Sequence, residues 1–135
     1  MKVNLKEQTL RKAGLRIIDI IRQKTKKTLD YRDEPLAKYC PQYRIWKEKK
    51  YPQYKGKVNL TMTGNMLRSL VVILAGDNTI RIGFENEEAS QLAYYHNISG
   101  AGRGRVLRRF LGISDEGLID EKLYQILAAG VIVET

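Results

Sequence analysis

The chain has 135 residues, with 24 Lys and Arg against 15 Asp and Glu, and a formal net charge of +9. This length fits a single domain, residues 1–135. The basic excess indicates an acidic partner. The candidates are nucleic acid, an anionic membrane and an acidic protein surface. The lone cysteine, Cys40, excludes an intrachain disulfide and is interpreted as a small apolar filler. No apolar run reaches the roughly 18 residues of a membrane span, so we expect a protein of the reducing cytoplasm with no membrane partner.

An amphipathic helix is predicted from about Leu5 to Thr28. Apolar side chains recur at every third or fourth position, and Lys and Arg line the opposite side. We interpret the cationic side as a solvated face of a helix that covers a sheet. The alternative is that this face contacts DNA or an acidic neighbour, because clustered cations on one helix form an electrostatic footprint.

The segment of about residues 31–59 has a different composition. It holds all three prolines, a run of lysines and most of the aromatic residues, and it has no clear period apart from a helical turn around Gln42–Lys49. We therefore predict a long extended arm. Aromatic residues among cations are typical of protein interfaces and also suit stacking on single-stranded nucleic acid, and we favour an interface. The interface candidates in the arm are Tyr39, Tyr43, Trp46, Tyr51 and Tyr54, with Trp46 as the anchor.

A short helix and a β-hairpin are predicted in the middle of the chain. Thr63 is a good N-cap for about two helical turns. The runs Leu70–Leu74 and Thr79–Phe84 then predict two strands joined by a tight turn at Gly76–Asn78. The second strand alternates apolar and polar residues, so one face is covered, whereas the first is apolar throughout, which is typical of a central strand.

A middle helix and a glycine-rich basic loop follow the hairpin. The acidic run Glu85–Glu88 favours a helix start, and the helix extends to about His96. His96 is the only histidine and lacks ligands at metal-binding spacing, so we expect it to hydrogen-bond a loop. In the loop at about residues 98–109 we expect Arg108 to hold the base, by packing its stem or pairing with a carboxylate. The interface candidates of this loop are Arg103 and Arg105 at its tip, together with Arg108 and Arg109.

The C-terminal part is predicted to return to the core and end in a helix. Phe110, Leu111 and Ile113 are the expected apolar anchors, and Ser114 or Asp115 is the expected helix cap. Gly130 is placed to end that helix, and the β-branched tail 131–133 predicts a short strand.

Together these elements predict an α+β fold. A small, mostly antiparallel β-sheet is packed by an N-terminal amphipathic helix, a middle helix and a C-terminal helix, and long loops project from it. The order of residues offers no paired carboxylates and no Cys-His or Ser-His arrangement, so we do not expect an enzyme, a cofactor or a metal.

The order and spacing of these motifs resemble the virion morphogenesis or tail-completion family of tailed bacteriophages and prophages. The resemblance covers about residues 5–125. The segments that carry it are the Pro/Tyr segment 35–43, residues 60–70, the hairpin, residues 92–97 and residues 108–114. The chain departs from the family at Val106, where Pro is frequent, and at Arg109, where an acidic residue is frequent. The fold-motif residues are Thr63, Gly64, Leu67, His96, Gly100, Phe110 and Gly112.

The resemblance implies a structural protein of the phage neck or tail end, incorporated into the virion after synthesis in the host bacterial cytoplasm. The implied partners are further copies of the chain in a cyclic homo-oligomer, with a hexamer as the expected ring, and neighbouring neck and tail-terminator or tail-tube proteins. Genomic DNA passing through the channel is a further candidate partner. The alternative function is a basic, prophage-encoded nucleic-acid-binding module that uses the N-terminal helix and the arm.

Overall fold

The computed structural model describes residues 2–54, 65–100, 105–114 and 120–134. The α+β class predicted from the sequence is confirmed. The strands are β1 (Lys2–Leu5), β2 (Leu70–Gly76), β3 (Thr79–Phe84) and β4 (Val131–Glu134). The helices are α1 (Glu7–Lys26), α2 (Pro41–Lys50), α3 (Asn65–Arg68), α4 (Glu87–Tyr94) and α5 (Glu121–Ala129).

The strands form two antiparallel pairs. β1 pairs with β4, from Lys2 opposite Glu134 to Leu5 opposite Val131, and β2 pairs with β3. The predicted strand at 131–133 is confirmed, but β1 was not foreseen, because an alternation of polar and apolar residues over only four positions is too short to predict a strand without its partner from the other end of the chain.

β2 is not the central strand that its composition predicted. Within the described part of the chain it pairs with β3 alone, and Ile73 and Leu74 are both about half exposed. The pairing slips between Val72 and Leu74, so a bulge at Ile73 disturbs the alternation of side chains. One face of the hairpin therefore covers the core, and the other carries apolar side chains into solvent.

The core lies between α1, the hairpin and α4. Eight buried residues from these elements and their neighbours form one cluster, and Val72, Ile82 and Phe84 of the hairpin pack against it. The members are Ile18, Ile21, Met66, Leu67, Leu70, Ala89, Ala93 and Phe110. The amphipathic helix predicted at the N-terminus is thus confirmed, as is the role of Phe110 as an anchor.

The turn of the β2–β3 hairpin follows from its sequence. Asp77 and Asn78 both adopt positive φ angles, 48° and 57°, which is the geometry of a type I′ turn and is tolerated best by Asn, Asp and Gly. The Asn78 side chain also accepts a hydrogen bond of 2.8 Å from the backbone N–H of Leu5. This contact ties the tip of the hairpin to the end of β1.

Two helix boundaries differ from their predictions. The cap of α5 is Asp120, whose carboxylate accepts from the Leu123 N–H at 2.9 Å, rather than Ser114 or Asp115. α3 has one turn rather than two, because Leu70 already belongs to β2. The predicted cap Thr63 and its neighbour Gly64 lie outside the described residues, as does Asp115. The end of α5 at Gly130 is confirmed.

Candidate interface surface

The arm is fixed to the domain where it begins. Leu36 is buried, and its N–H donates to the carbonyl of Thr28 at 2.8 Å. The N–H of Tyr31 donates to the carbonyl of Arg109 at 3.0 Å. Residues 31–40 thus run along the domain, which corrects the prediction of an arm that projects from its start.

The aromatic residues of the arm are gathered by α2. Pro41 occupies the first turn, where its missing N–H costs nothing. Ring centroids lie 4.7 Å apart for Tyr39 and Tyr43, 5.7 Å for Tyr43 and Trp46, and 6.3 Å for Trp46 and Tyr51. The helical turn predicted around Gln42–Lys49 is confirmed by α2, in which Tyr43 and Trp46 lie three residues apart on one face, and Tyr39 and Tyr51 flank the helix at its two ends. The side chain of Tyr54 lies outside the description.

Two lysines complete this group, and sequence reasoning did not single them out. Lys47 is fully buried; its Nζ lies 3.3 Å from the Tyr39 hydroxyl and 4.8 Å from the centre of the Tyr39 ring. Burial lowers the pKa of Lys47 to about 8. Lys50 Nζ lies 5.2 Å from the centre of the Trp46 ring, within cation–π range.

Arg108 joins the basic loop to the arm. Its guanidinium donates to the carbonyl oxygens of Ala37 at 2.8 Å and Lys38 at 3.0 Å, and it lies 5.0 Å from the Tyr39 ring centre. Arg108 is buried, and among the described residues its guanidinium bonds backbone carbonyls rather than the carboxylate that we named as one option. We call the resulting group the aromatic–cation cluster, and its members are Tyr39, Tyr43, Trp46, Lys47, Lys50, Tyr51 and Arg108.

Arg105 and Arg109 of the loop do not join this cluster. Arg105 and Arg109 are exposed, and Arg103 lies outside the described residues. Gly100 has a φ angle of 89°, and a Cβ there would meet the backbone of Arg105. A side chain at residue 100 would therefore be strained and would separate the two ends of the loop.

His96 and its neighbours support the loop from inside the fold. The carbonyl of His96 accepts from the Arg108 N–H at 2.7 Å, and the His96 ring packs edge-on against Phe110 at 6.4 Å. Among the described residues the expected hydrogen bond to the loop is thus made by the His96 carbonyl, and the buried Nδ1 has no hydrogen-bond partner there. Burial, with Arg108 nearby, lowers the pKa of His96 to about 4, which keeps the ring neutral at pH 7.

Three minor positions also depart from their predictions or add to them. Cys40 is exposed rather than a filler of the core, and Leu111 is more than one-third exposed. Gly112 lies against Tyr31, where a Cβ would come within 3.2 Å of the Tyr31 side chain.

Much of the basic side of α1 is used inside the molecule. Arg16 makes a bidentate pair with Asp120, both contacts 2.8 Å, and also reaches Asp19 at 2.9 Å. Arg22 donates to the carbonyl of Leu67 at 2.9 Å, and Lys24 pairs with Asp33 at 3.1 Å. These ties reduce the charge that α1 offers to a partner, which favours the structural interpretation of the helix over the DNA-binding one.

The helices α2 and α4 each present neighbouring apolar side chains to solvent. On α2, Ile45 is 50% exposed and Trp46 is 43% exposed. On and just after α4, Leu92, Tyr94 and Tyr95 are between 41% and 50% exposed. Exposed aromatic and aliphatic groups of this kind are common at protein–protein interfaces.

The described residues contain no group of His, Cys, Asp and Glu that could hold a metal ion. Within that same part of the chain, no helix is long and apolar enough to cross a membrane. Comparisons with protein-family models, with curated proteins and with solved structures found no match.

Proposed function

We propose that the chain is a structural protein of the neck or tail end of a tailed phage or prophage, and that it acts by forming a ring at the head–tail junction or tail end. The resemblance of its motifs to the tail-completion family supports this proposal. Its proposed place in the virion and its proposed neighbours, the neck and tail-terminator or tail-tube proteins, follow from the same resemblance.

The observation that carries the proposal is the pair of exposed apolar helix faces on α2 and α4. A subunit of a ring needs two different contact patches, one for each neighbour. α2 offers Ile45 and Trp46, α4 offers Leu92 and Tyr94, and the two faces are separate parts of one chain. A protein that works by assembly needs such surfaces and needs no catalytic group.

Trp46 is the residue to test first. Trp46→Ala should weaken self-association by about 2 kcal/mol or more, because a Trp at the centre of an interface is often worth that much. It should lower the free energy of unfolding of the monomer by less than this, because Trp46 is 43% exposed and its contacts within the monomer are with Tyr43, Tyr51 and Lys50. Light scattering after size exclusion measures the first quantity and urea titration the second.

Tyr124→Ala is the matched control, because Tyr124 is an aromatic residue that is 70% exposed on another helix, α5. The control should assemble as the wild type does. If Trp46→Ala lowers the free energy of unfolding as much as it weakens self-association, Trp46 is a residue of the folded core and not an interface anchor.

A further inference from the structure

The faces of α2 and α4 complement each other in charge as well as in apolar character. On α2, Ile45 and Trp46 are followed by the exposed Lys49 and Lys50. On α4 the order is reversed, because the exposed Glu87 and Glu88 precede Leu92. Neither glutamate has an ion pair with any residue in the described ranges.

The two patterns match in one direction only. If the helices lie antiparallel with Ile45 opposite Leu92, each residue further along α2 lies opposite the residue one position earlier in α4. Four residues of helix rise about 6 Å on both sides, so the charges fall opposite one another in the same register as the apolar pair. The resulting pairs are Ile45 with Leu92, Trp46 with Gln91, Lys49 with Glu88 and Lys50 with Glu87. A parallel arrangement with Ile45 opposite Leu92 would instead place Lys49 against His96 and Lys50 against Asn97, and both glutamates would lie away from the lysines.

The partner helix does not come from the same molecule. Ile45, Trp46 and Leu92 are all exposed in the single chain, so α2 does not cover the α4 of its own molecule. We propose that α2 of one copy packs antiparallel on α4 of the next copy, in the register that pairs Lys49 with Glu88. This inference rests on the proposed ring, and it names the contact that would build it.

Charge reversal tests the pairing directly. The variant Lys49→Glu/Lys50→Glu and the variant Glu87→Lys/Glu88→Lys should each self-associate at least about tenfold more weakly than the wild type, because like charges then face each other across the contact. An equimolar mixture of the two variants should assemble again, since every contact between unlike variants pairs opposite charges. Lys26→Glu/Lys27→Glu, which reverses two exposed lysines of the α1 end, is the control and should assemble normally.

A cysteine pair tests the register. In a Cys40→Ser background, Ile45→Cys/Leu92→Cys should form disulfides between copies and give a ladder of cross-linked chains on a non-reducing gel. Ile45→Cys with Glu85→Cys, which is exposed but lies seven residues away from Leu92, should not.

The outcomes separate this contact from the proposed function. If the wild type forms a ring, both charge-reversed variants still form it and residues 45 and 92 do not cross-link, the proposed contact is overturned and the proposed ring is not. A wild-type chain that stays monomeric at all concentrations overturns both. Cross-linking in an assembly of only two copies supports the contact and overturns the ring.

Discussion

Arg108 shows how a single side chain unites distant segments. It is buried, and its guanidinium donates hydrogen bonds to two carbonyl oxygens of the arm, while its backbone N–H donates to the carbonyl of His96. A guanidinium suits this task because its planar donors can serve two acceptors at once. The aromatic–cation cluster therefore depends on Arg108 for its position on the domain.

Replacing Arg108 should destabilise the fold. Arg108→Ala should lower the free energy of unfolding by about 2–3 kcal/mol, because the hydrogen bonds to a charged donor are lost and two carbonyls lose their partner. Arg108→Lys should recover only part of this stability, since an ammonium group does not present the two planar N–H donors of a guanidinium. Urea titration measures all three proteins. Arg109→Ala, at an exposed neighbour, is the control, and an equal loss there would contradict the role given to Arg108.

Asp120 is a second residue with two tasks, since it caps α5 and pairs with Arg16 of α1. These contacts lower the pKa of Asp120 to about 2 from an ordinary 3.8, the Arg16 hydrogen bonds contributing most and the Leu123 N–H next. Because the folded state has the lower pKa, the stabilisation is fully present above about pH 4 and is lost as the pH falls toward 2.

Asp120→Asn keeps an acceptor for the cap but removes the charge. At pH 7 we expect it to be less stable than the wild type by up to about 1 kcal/mol, the scale of an ion pair that remains partly in contact with water. The difference should shrink as the pH falls from 4 to 2, because the wild type then loses its charge too. Denaturant titrations at several pH values measure this. A difference that is independent of pH would refute the assignment. Glu121→Gln, at the adjacent exposed position, is the control for removing a carboxylate that does not pair with Arg16.

At the scale of elements, the close approach of α1 to the hairpin organises the core. A Cβ on Gly14 would lie 2.6 Å from a methyl of Val72 and 3.0 Å from a methyl of Ile80. Both neighbours are β-branched and have little freedom to move aside. The absence of a side chain at residue 14 thus sets the distance between the helix and the sheet.

Gly14→Ala should therefore destabilise the protein even though alanine is the better helix former. We expect a loss of about 1–3 kcal/mol from overpacking, offset by about 1 kcal/mol of helix propensity. Thermal unfolding followed by circular dichroism measures the net effect. Gly76→Ala is the control because nothing lies within 4 Å of the added methyl group, and it should not lower stability. A stabilised Gly14→Ala would show that α1 can move away at little cost.

For the whole molecule, the formal charge of +9 is larger than the positive charge that remains available to bind a partner. Arg16, Lys24 and Arg108 already have contacts inside the molecule, and the Tyr39 ring is in contact with Tyr43 and two cations. A basic composition is consistent with DNA binding, but these contacts reduce the cations and ring faces left for phosphates and bases.

We therefore expect little affinity for free DNA at physiological salt. Fluorescence anisotropy with labelled single- and double-stranded oligonucleotides should show only weak binding at low salt, and that binding should disappear as salt rises. Tight binding at physiological salt that Trp46→Ala weakens would instead support the nucleic-acid-binding alternative, because stacking on an aromatic ring carries such binding.

Local patterns in the sequence determined the helices α1 and α4, the β2–β3 hairpin with its turn, the terminal strand at 131–134 and the anchor Phe110. Each depends on periodicity or on turn and cap chemistry within a few residues. Contacts between distant segments were decided only by the tertiary structure, and they include the pairing of β1 with β4, the ion pair of Arg16 with Asp120 and the hydrogen bonds of Arg108 to the arm. The partners in these contacts lie far apart in the chain, so no local spacing records them. The burial of Lys47 and the exposure of Ile73 and Leu74 were also decided by the tertiary structure, because they depend on which segments pack against α2 and the hairpin.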